Sequence, residues 1–373
     1  MALMWAAVYH GPRDVRFEEV PRPEPASGEV LVRVHGCGLS GLDAAEFVQG
    51  PKMYPLESRH PMTGHSGPII PGHEFAGRVE DVGEYVATEF RKGELVVCGA
   101  GLWCGICAQC RAGRPSICVW QAVMGIHRNG GLAEFVSVPA HILFRTEPYM
   151  MCPDVAPLAH PMAVAVHAMR RARPQDNEDA LVIGSGGIGT FLTYALVQRG
   201  ARVLAVDLSS ERLAVARKLG AEATIRANNA DAIRAELQKR GVVPTLVFEV
   251  TGSDAGFETA LALVEPGGTI VTVGIASHRV NLDARRVTLK ELAIVGTNGV
   301  IVDEDIPEAM RLLTIDQTLW NDVAPTAIPL EKVVDDGLLP MVEGRAKRIK
   351  TLVDPSITAA RPTVMVAPAT ESA

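Results

Sequence analysis

Four cysteines close together are the feature that most constrains how this chain can fold. They occur in the run Cys104-Gly-Ile-Cys107-Ala-Gln-Cys110-Arg-Ala-Gly-Arg-Pro-Ser-Ile-Cys118, with the spacing C-x2-C-x2-C-x7-C. Four thiolates on one short segment are typical of a closed tetrahedral zinc site. Because sulfur would fill every coordination position, this zinc would fix a loop and take no part in chemistry. The pattern predicts a structural zinc lobe at about residues 98–120.

Cysteine usage also indicates the compartment. The chain has seven cysteines, an odd number, and no apolar signal segment opens it. Disulfides are rare in reducing compartments, where clustered cysteines more often bind metal. We therefore expect a cytoplasmic protein with reduced thiols.

Length and charge limit the class of protein. A chain of 373 residues is too long for one ordinary core and indicates two domains. The net charge of -7 comes without a basic stripe, so we expect neither nucleic acid nor a membrane surface as a partner. No apolar run reaches the roughly 18 residues that a membrane span needs. Residues 355–373 are rich in Ala, Pro and Thr and are predicted to be disordered.

The texture of the sequence changes along the chain. Residues 1–157 alternate short β-type runs with Gly/Pro turns, which is typical of an antiparallel β-rich domain. Residues 158–299 alternate apolar strands with helices, which predicts a doubly wound parallel sheet. Residues 300–354 are mixed and end in a strand-like run at 348–353 that we expect to rejoin the first domain. The fold class is α/β, with a discontinuous first domain.

A glycine-rich turn in the second domain predicts a dinucleotide site. The run Gly184-Ser-Gly186-Gly187-Ile188-Gly189 follows an apolar strand and opens a helix, the context in which GxGxxG is informative. The first glycine permits the tight turn, the second lets the pyrophosphate approach the backbone, and the third lets the helix pack on the strand. The alternative is a simple glycine turn before a helix.

Other residues at the same edge of the predicted sheet support a cofactor. Asp207 ends the next strand, where a carboxylate can accept hydrogen bonds from the ribose and repel a 2′-phosphate, so NAD is favoured over NADP. Arg212, on the following helix, could serve a phosphate or lie on the solvated surface. Thr251 and Gly274 follow the fourth and fifth strands and could contact cofactor or form turns.

One further motif completes a family resemblance. The run Gly72-His73-Glu74-x2-Gly77-x5-Gly83 precedes the cysteine lobe and the glycine turn. In this order and spacing, the three motifs resemble those of the zinc-containing medium-chain alcohol dehydrogenase family over nearly the whole chain. The segment 51–71, with His60-Pro-Met-Thr-Gly64, is most similar to the butanediol and polyol dehydrogenase branch.

The resemblance implies an architecture and a chemistry. It implies a GroES-like catalytic domain, a Rossmann domain, a cleft between them, a small-molecule substrate and a homodimer or homotetramer. It also implies a second zinc, acting as a Lewis acid while hydride passes to or from nicotinamide. Lys350 aligns with a cationic position that in this family can approach the cofactor pyrophosphate; a surface lysine is the alternative.

The chain departs from this family at the catalytic metal. The family pattern Cys-Gly-Ile-Cys-Gly-Ser-Asp aligns with Cys37-Gly-Leu-Ser40-Gly-Leu42-Asp43, and its second cysteine is the catalytic zinc thiolate. That position is Ser40 here, and the hydroxyl that normally passes the substrate proton is replaced by Leu42. A serine hydroxyl binds zinc poorly, and leucine can neither donate nor accept a proton.

Two outcomes follow for the altered site. His160 stands where a carboxylate ligand is common in the family, while His73, Glu74 and Asp43 remain in register. His73, Glu74 and His160 could hold a zinc ion with one position open, with Asp43 orienting His73. Alternatively, the site lacks catalytic zinc and a histidine acts as a general acid or hydrogen-bond donor.

Three functions remain open from the sequence. The first is an NAD-dependent oxidoreductase of a small polyol, cyclitol or sugar-like alcohol or ketone, with Ser40, His73, Glu74, His160 and Asp43 at the catalytic centre. The second is a reductase without catalytic zinc that acts on a C=N or conjugated C=C bond. The third is a non-catalytic protein that binds a dinucleotide.

Overall fold

The computed structural model describes residues 2–86, 88–276, 278–346 and 348–366. The chain divides into two compact units. Unit 1 comprises Met1–His160 and Val300–Ala373, and unit 2 comprises Pro161–Gly299. The sequence predicts boundaries after residues 157 and 299, so the first boundary differs by three residues and the second coincides. In these four ranges no helix is both long enough and apolar enough to cross a membrane.

The N-terminal part of unit 1 is rich in strands, as its Gly/Pro punctuation predicts. Its elements are β1 (Leu3–Gly11), β2 (Asp14–Pro21), β3 (Glu29–Gly38), α1 (Gly41–Gln49), β4 (Glu74–Val82), β5 (Leu95–Cys98), β6 (Gly101–Leu102), α2 (Ala108–Arg111), β7 (Ala122–Val123), β8 (Phe135–Pro139) and β9 (Leu143–Arg145). β3 and β4 pair antiparallel, with Gly38 opposite Glu74. β1 pairs with β2, and β6 with β7.

Unit 2 alternates strands and helices. The elements from the unit boundary onward are α3 (Ala159–Ala172), β10 (Asp179–Ile183), α4 (Gly187–Gln198), β11 (Arg202–Asp207), α5 (Ser210–Lys218), β12 (Ala223–Arg226), α6 (Ala230–Lys239), β13 (Leu246–Glu249), α7 (Asp254–Leu263), β14 (Thr269–Thr272), α8 (Ala284–Leu289) and β15 (Ala293–Gly296). Within the described part of unit 2, six parallel strands lie in the order β12-β11-β10-β13-β14-β15. This is the Rossmann order, and it confirms the predicted doubly wound sheet.

The chain then returns to unit 1. The returning elements are α9 (Val302–Ile315), β16 (Thr326–Pro329), α10 (Leu339–Val342), β17 (Leu352–Asp354) and β18 (Arg361–Pro362). β17 pairs with β3, as expected for a strand that rejoins the first domain. Among the described residues, the main sheet of unit 1 has eight strands in the order β18-β16-β17-β3-β4-β5-β9, with β8 paired to β3.

Short 3-10 helical segments and a π-helical segment connect these elements. The 3-10 segments are Pro115–Ile117, Ala140–Ile142, Glu147–Tyr149, Ala156–Leu158, Gln317–Asn321 and Leu330–Lys332, and a π-helical segment spans Val333–Leu338. The segment Ala156–Leu158 is fully buried and leads directly into α3.

The prediction of disorder beyond residue 355 is wrong for residues 355–366. β18 pairs antiparallel with β16, and the Arg361 guanidinium contacts the carboxylates of Asp154 and Asp354. Composition favoured disorder because few large apolar residues occur here. Ion pairs with distant residues, together with burial of Met365, hold the segment instead. Residues 367–373 lie outside the described ranges.

Candidate functional site

Segments from distant parts of the sequence assemble a buried polar cluster in unit 1. His73 directly precedes β4, Glu74 begins that strand, and His160 lies in the first turn of α3. One ligand atom from each of these three residues lies within 4.8 Å of the others, and all three side chains are buried. The structure therefore brings together the three residues that the sequence proposed for a second metal.

The two imidazoles of the cluster have open coordination capacity. The ring centroids of His73 and His160 are 5.3 Å apart, with an angle of 76° between the ring planes. The Nδ1 atom of each ring is buried and has no hydrogen-bond partner within the described chain. Burial, followed by the nearby charges of His73 and Lys350, holds the pKa of His160 well below its usual value. Buried polar atoms are normally paired, so these two rings suit a metal ion or a polar ligand.

Ser40 is already engaged with Asp43 at the start of α1. Its hydroxyl donates to Asp43 Oδ2 at 2.7 Å and accepts from the Asp43 backbone N–H at 3.2 Å. The Ser40 N–H also donates to Asp43 Oδ2, at 2.8 Å, which completes a capping box. A hydroxyl that caps a helix and donates to a carboxylate is poorly placed to bind metal.

Asp43 connects this cap to the histidine cluster. Its Oδ1 atom accepts a hydrogen bond from the Tyr54 hydroxyl at 3.1 Å and lies 4.0 Å from His73 Nδ1. Asp43 is thus placed behind His73, as the resemblance implies. The sequence did not single out Tyr54, because nothing in its local pattern shows that it reaches Asp43.

Lys350 lies in this cluster as well. Its ammonium donates to Glu74 Oε2 and to the Leu39 carbonyl, the latter at 3.1 Å, and its side chain is 3% exposed. The resemblance implied a contact with cofactor pyrophosphate, whereas the structure gives the ammonium a carboxylate partner within unit 1. Lys350 lies just before β17, which begins at Leu352. Because β17 pairs with β3, and β3 pairs with β4, Lys350 comes close to Glu74 at the start of β4.

The last residue of β3 leaves space for Glu74. Gly38 is paired with Glu74 across the two strands, and a Cβ on Gly38 would collide with the Glu74 carboxylate. Any larger residue would displace that carboxylate from Lys350 and from the histidines.

The cysteine lobe has the geometry of a sulfur-only zinc site. The Sγ–Sγ distances are 3.9 Å for Cys104–Cys110, 3.5 Å for Cys107–Cys110, 4.0 Å for Cys107–Cys118 and 3.5 Å for Cys104–Cys118. Four sulfurs bound tetrahedrally to zinc at about 2.3 Å lie about 3.8 Å apart. Backbone N–H groups of Cys104 and Trp120 point at Cys118 Sγ. The four side chains therefore fit a zinc ion with no open coordination position.

In unit 2, the glycine turn connects β10 to α4. Gly184 has φ +100°, a left-handed conformation that favours glycine. A Cβ on Gly189 would collide with the Gly184 carbonyl, so this glycine allows α4 to start close to the turn. Gly186 caps α4 without a side-chain hydrogen bond, which leaves the N–H groups at the Gly187–Ile188 end of the helix suited to a phosphate.

Asp207 lies at the end of β11 beside this turn. Its Oδ2 accepts the Ser185 N–H at 2.7 Å and its Oδ1 accepts the Ser209 N–H at 2.9 Å. Arg212 Nη1 is 3.9 Å from Asp207 Oδ2, and the Arg212 side chain is partly exposed. Asp207 and Arg212 thus both lie beside the glycine turn.

Thr251 and Gly274 also meet at this edge of the sheet. Thr251 N–H donates to Glu249 Oε1 at 2.8 Å, and the Gly274 N–H donates to the Glu249 carbonyl at 3.0 Å. Sequence reasoning missed Glu249, a buried carboxylate at the end of β13 that also accepts the Gly252 N–H. In the sequence, Glu249 could have been noticed as a single acidic residue at the end of an apolar strand-like run.

The sequence matches two families of known proteins. Residues 26–148 match the alcohol dehydrogenase GroES-like domain, and residues 187–314 match the zinc-binding dehydrogenase family. The D-altritol 5-dehydrogenase of Agrobacterium fabrum is 31% identical over 326 residues, which cover 85% of this chain and 90% of that protein.

Solved structures give the same result. The structure of 2R,3R-butanediol dehydrogenase from Bacillus subtilis matches with a TM-score of 0.86 at 28% identity, covering 95% of this chain and 100% of that one. The alcohol dehydrogenase rspB of E. coli CFT073, complexed with NADH, matches with a TM-score of 0.83 at 26% identity, again over 95% and 100%. The chain therefore belongs to the zinc-type medium-chain alcohol dehydrogenase family and is an oxidoreductase.

Proposed function

We propose that this chain is an NAD-dependent oxidoreductase that transfers hydride between nicotinamide and a small polyol, cyclitol or sugar-like alcohol, or the corresponding ketone. The buried cluster of His73, Glu74 and His160 carries the proposal, because its donors suit an alcohol or carbonyl oxygen, directly or through a metal ion. Similarity to an altritol dehydrogenase and a butanediol dehydrogenase supports the substrate class.

The preference for NAD rests on Asp207. Backbone N–H groups of Ser185 and Ser209 fix its carboxylate next to the glycine turn. A fixed carboxylate there accepts ribose hydroxyls and repels a 2′-phosphate. Arg212 lies 3.9 Å from Asp207 Oδ2 with a partly exposed side chain, so Asp207 is the more firmly fixed charge at this turn.

A metal ion in the cluster would be held by one imidazole nitrogen each from His73 and His160 and by the Glu74 carboxylate. Such an ion supplies Lewis acidity at the substrate oxygen. Asp43 contributes negative charge 4.0 Å from His73 Nδ1, while Ser40 and Tyr54 hold Asp43 in place. Leu42 passes no proton, so the proton leaves by another route.

The engagement of Ser40 with Asp43 favours a second candidate. Without a thiolate or a relay hydroxyl, the cluster can serve as a metal-free set of hydrogen-bond donors. Such a site would reduce activated substrates, with a C=N or conjugated C=C bond, that need little Lewis-acid assistance.

The test is turnover of a substrate panel by purified protein, with NAD(H) and NADP(H) in parallel. We expect activity with a polyol or its ketone, and a drop in kcat of about 100-fold or more in His73→Ala, the range for loss of an acid–base group. His278→Ala, at an exposed histidine of unit 2, is the matched control. Asp207→Ala should reduce the preference for NAD.

Inactivity on every polyol and ketone, with turnover of a C=N or C=C substrate, would establish the second candidate instead. Retained activity in His73→Ala would contradict both, since each depends on the same cluster.

The proposal includes a structural zinc ion in the cysteine lobe. The Sγ–Sγ distances of 3.5 to 4.0 Å support it. Elemental analysis of Cys104→Ser should show the loss of one zinc per chain relative to the unchanged protein, together with a lower melting temperature.

The proposal also includes a homodimer or homotetramer, without nucleic-acid or membrane partners. β15 is the edge strand of the unit 2 sheet, and Ile294 on it is 37% exposed. Leu282, just before α8, and Leu289, the last residue of α8, are also exposed. An apolar edge strand is a template for pairing with another chain. Ile294→Lys should shift the mass measured by light scattering towards the monomer.

A further inference from the structure

The contact between Lys350 and Glu74 bears on how the cluster binds metal. Both side chains are almost completely buried, at 3% and 2% exposure. The Lys350 ammonium is held by the Glu74 carboxylate and by the Leu39 carbonyl. Separating a buried ion pair leaves an uncompensated charge, so the pair is not easily broken.

The same carboxylate is the one anionic donor in the metal-ligating set. His73 and His160 contribute neutral nitrogens, and Glu74 contributes a carboxylate oxygen. Gly38 packs against Glu74 and restricts where the carboxylate can go. A metal ion and the Lys350 ammonium are therefore two cations that draw on one negative group in one confined place.

The other carboxylate near the cluster belongs to Asp43, which is not one of the three metal-ligating residues. Asp43 lies behind His73, with its Oδ1 4.0 Å from His73 Nδ1. Position 40 carries a neutral hydroxyl, which donates to Asp43. The three ligands together carry the single negative charge of Glu74, and the adjacent Lys350 ammonium offsets that charge, so a divalent ion would gain little net attraction from these four residues.

We propose that the Lys350 ammonium competes with the metal ion for Glu74, so that this lysine limits how tightly the His73–Glu74–His160 site holds metal. The inference rests on the proposed function only in taking this cluster as the metal-binding centre. It predicts that metal at this site exchanges readily, while zinc in the cysteine lobe stays bound.

The test compares Lys350→Gln, which removes the charge and keeps a hydrogen-bond donor, with Lys350→Arg, which keeps the charge. Protein whose cysteine lobe is filled with zinc is titrated with Co²⁺ alone, and binding is followed by the visible absorption of cobalt and by calorimetry. We expect Lys350→Gln to bind Co²⁺ about 10- to 100-fold more tightly than the unchanged protein, the range over which neighbours of metal ligands alter affinity. Lys350→Arg should remain near the affinity of the unchanged protein.

Two controls define the site and the fold. His73→Ala/His160→Ala should abolish the cobalt binding that Lys350→Gln strengthens, and the zinc content of the lobe should stay constant in every variant. Unchanged or weaker Co²⁺ binding by Lys350→Gln would overturn the inference, as would an equal gain in Lys350→Arg.

The readout separates this inference from the proposed function. Polyol turnover by the unchanged protein without any change in cobalt affinity in Lys350→Gln would leave the proposed function standing and remove the inference. If Lys350→Gln binds Co²⁺ more tightly as expected but the unchanged protein turns over no polyol, the inference stands and the proposed function is removed.

Discussion

The hydroxyl of Ser40 stands where the family resemblance places a zinc thiolate, and it makes hydrogen bonds to the Asp43 carboxylate and backbone N–H. The Ser40 hydroxyl donates a hydrogen bond to Asp43 Oδ2, and the same side chain caps the N-terminus of α1. A thiolate at this position would add a negative, soft ligand beside His73, Glu74 and His160. One residue thus changes both the charge of the site and the start of a helix.

Ser40→Cys should therefore raise zinc affinity at the cluster. We expect zinc content to rise by up to one ion per chain, because the thiolate supplies a ligand that the hydroxyl does not. Stability without zinc should fall by about 1 kcal/mol, the usual cost of a lost helix cap. Elemental analysis and thermal unfolding measure the two effects.

Ser40→Ala is the matched control for this substitution. It loses the same cap without adding a ligand, so its stability should fall while its zinc content stays unchanged. An equal rise in zinc in both variants would show that position 40 does not contribute a ligand.

Tyr54 holds Asp43 from the other side. Its buried hydroxyl donates to the carboxylate, and burial, followed by the charge of Asp43, raises the pKa of Tyr54 well above its usual value. Tyr54→Phe should lower the free energy of unfolding by about 1.5–3 kcal/mol, the range for hydrogen bonds to charged groups. Urea denaturation measures the change.

Tyr9 offers a comparison within the same packed pair of rings. Its ring centroid lies 4.8 Å from that of Tyr54, and its hydroxyl donates to the neutral Glu46 carbonyl at 3.0 Å. Tyr9→Phe should cost only about 0.5–1.5 kcal/mol. Equal losses in the two variants would mean that the charge of Asp43 adds nothing to the Tyr54 hydrogen bond.

Sequence reasoning at the residue scale identified the members of the cluster but not all of their partners. His73, Glu74 and His160 were predictable because a motif and its alignment mark them. The capping box of Ser40 and Asp43 was not predicted, although a serine three residues before an acidic residue is a pattern that can indicate one. The pairing of Lys350 with Glu74 spans 276 residues, and no local pattern specifies a contact at that separation.

At the scale of elements, β18 shows how a few ion pairs order a segment of low hydrophobicity. Arg361 contacts both Asp154 and Asp354, whose side chains are 6% and 4% exposed. His35 Nε2 lies 2.9 Å from Asp154 Oδ1, and the Val364 N–H donates to Asp154 Oδ2 at 2.7 Å. Burial raises the pKa of Asp154, but hydrogen bonds from Arg361, His35 and Val364 outweigh it and hold that pKa below its usual value.

This network predicts sensitivity to acid. A carboxyl whose folded pKa is lowered stabilises the fold fully above its unfolded value of 3.8, and the contribution is lost as pH falls below that value. Arg361→Met should lower stability at neutral pH by about 3 kcal/mol or more, because two buried carboxylates lose their partner. The substitution should also make the free energy of unfolding fall less steeply as the pH decreases below about pH 4. Chemical denaturation across this range measures both.

Arg145→Met provides the control for the network. Arg145 pairs with Glu94 at 3.6 Å with both side chains substantially exposed, so its removal should cost less than about 1 kcal/mol. If Arg361→Met loses stability below about pH 4 as steeply as the unchanged protein does, Asp154 is not the source of that loss.

Elements were more predictable than their ends. The strands β10, β11, β13, β14 and β15 were visible as apolar runs between helices, and together they specify a parallel sheet. Residues 355–366 were assigned to disorder because composition carries no information about ion pairs with distant partners. β18, which pairs with β16, contains Arg361 and so includes that distant contact.

At the scale of the whole molecule, each of the two units carries its own group of candidate ligand-binding residues. Unit 2 contains the glycine turn and Asp207, while unit 1 contains the cysteine lobe and the histidine cluster. We expect two transitions in calorimetry. NAD at 100 times its Kd should stabilise only one of them, by about 2.7 kcal/mol through mass action.

Removal of zinc by a chelator should lower the other transition. Zinc in the lobe stabilises unit 1 because its ligands are assembled only in the folded state. A single transition that shifts with both NAD and chelator would show that the units unfold together.

The way unit 1 is assembled from both sides of unit 2 has a consequence during synthesis. The residues of unit 2 are consecutive and are all present once Gly299 has emerged from the ribosome. The central sheet of unit 1 still lacks β17, which pairs with β3, and Lys350, which neutralises Glu74. Unit 2 can thus fold first, whereas the cluster of His73, Glu74, His160 and Lys350 is completed only after more than 50 further residues have been translated.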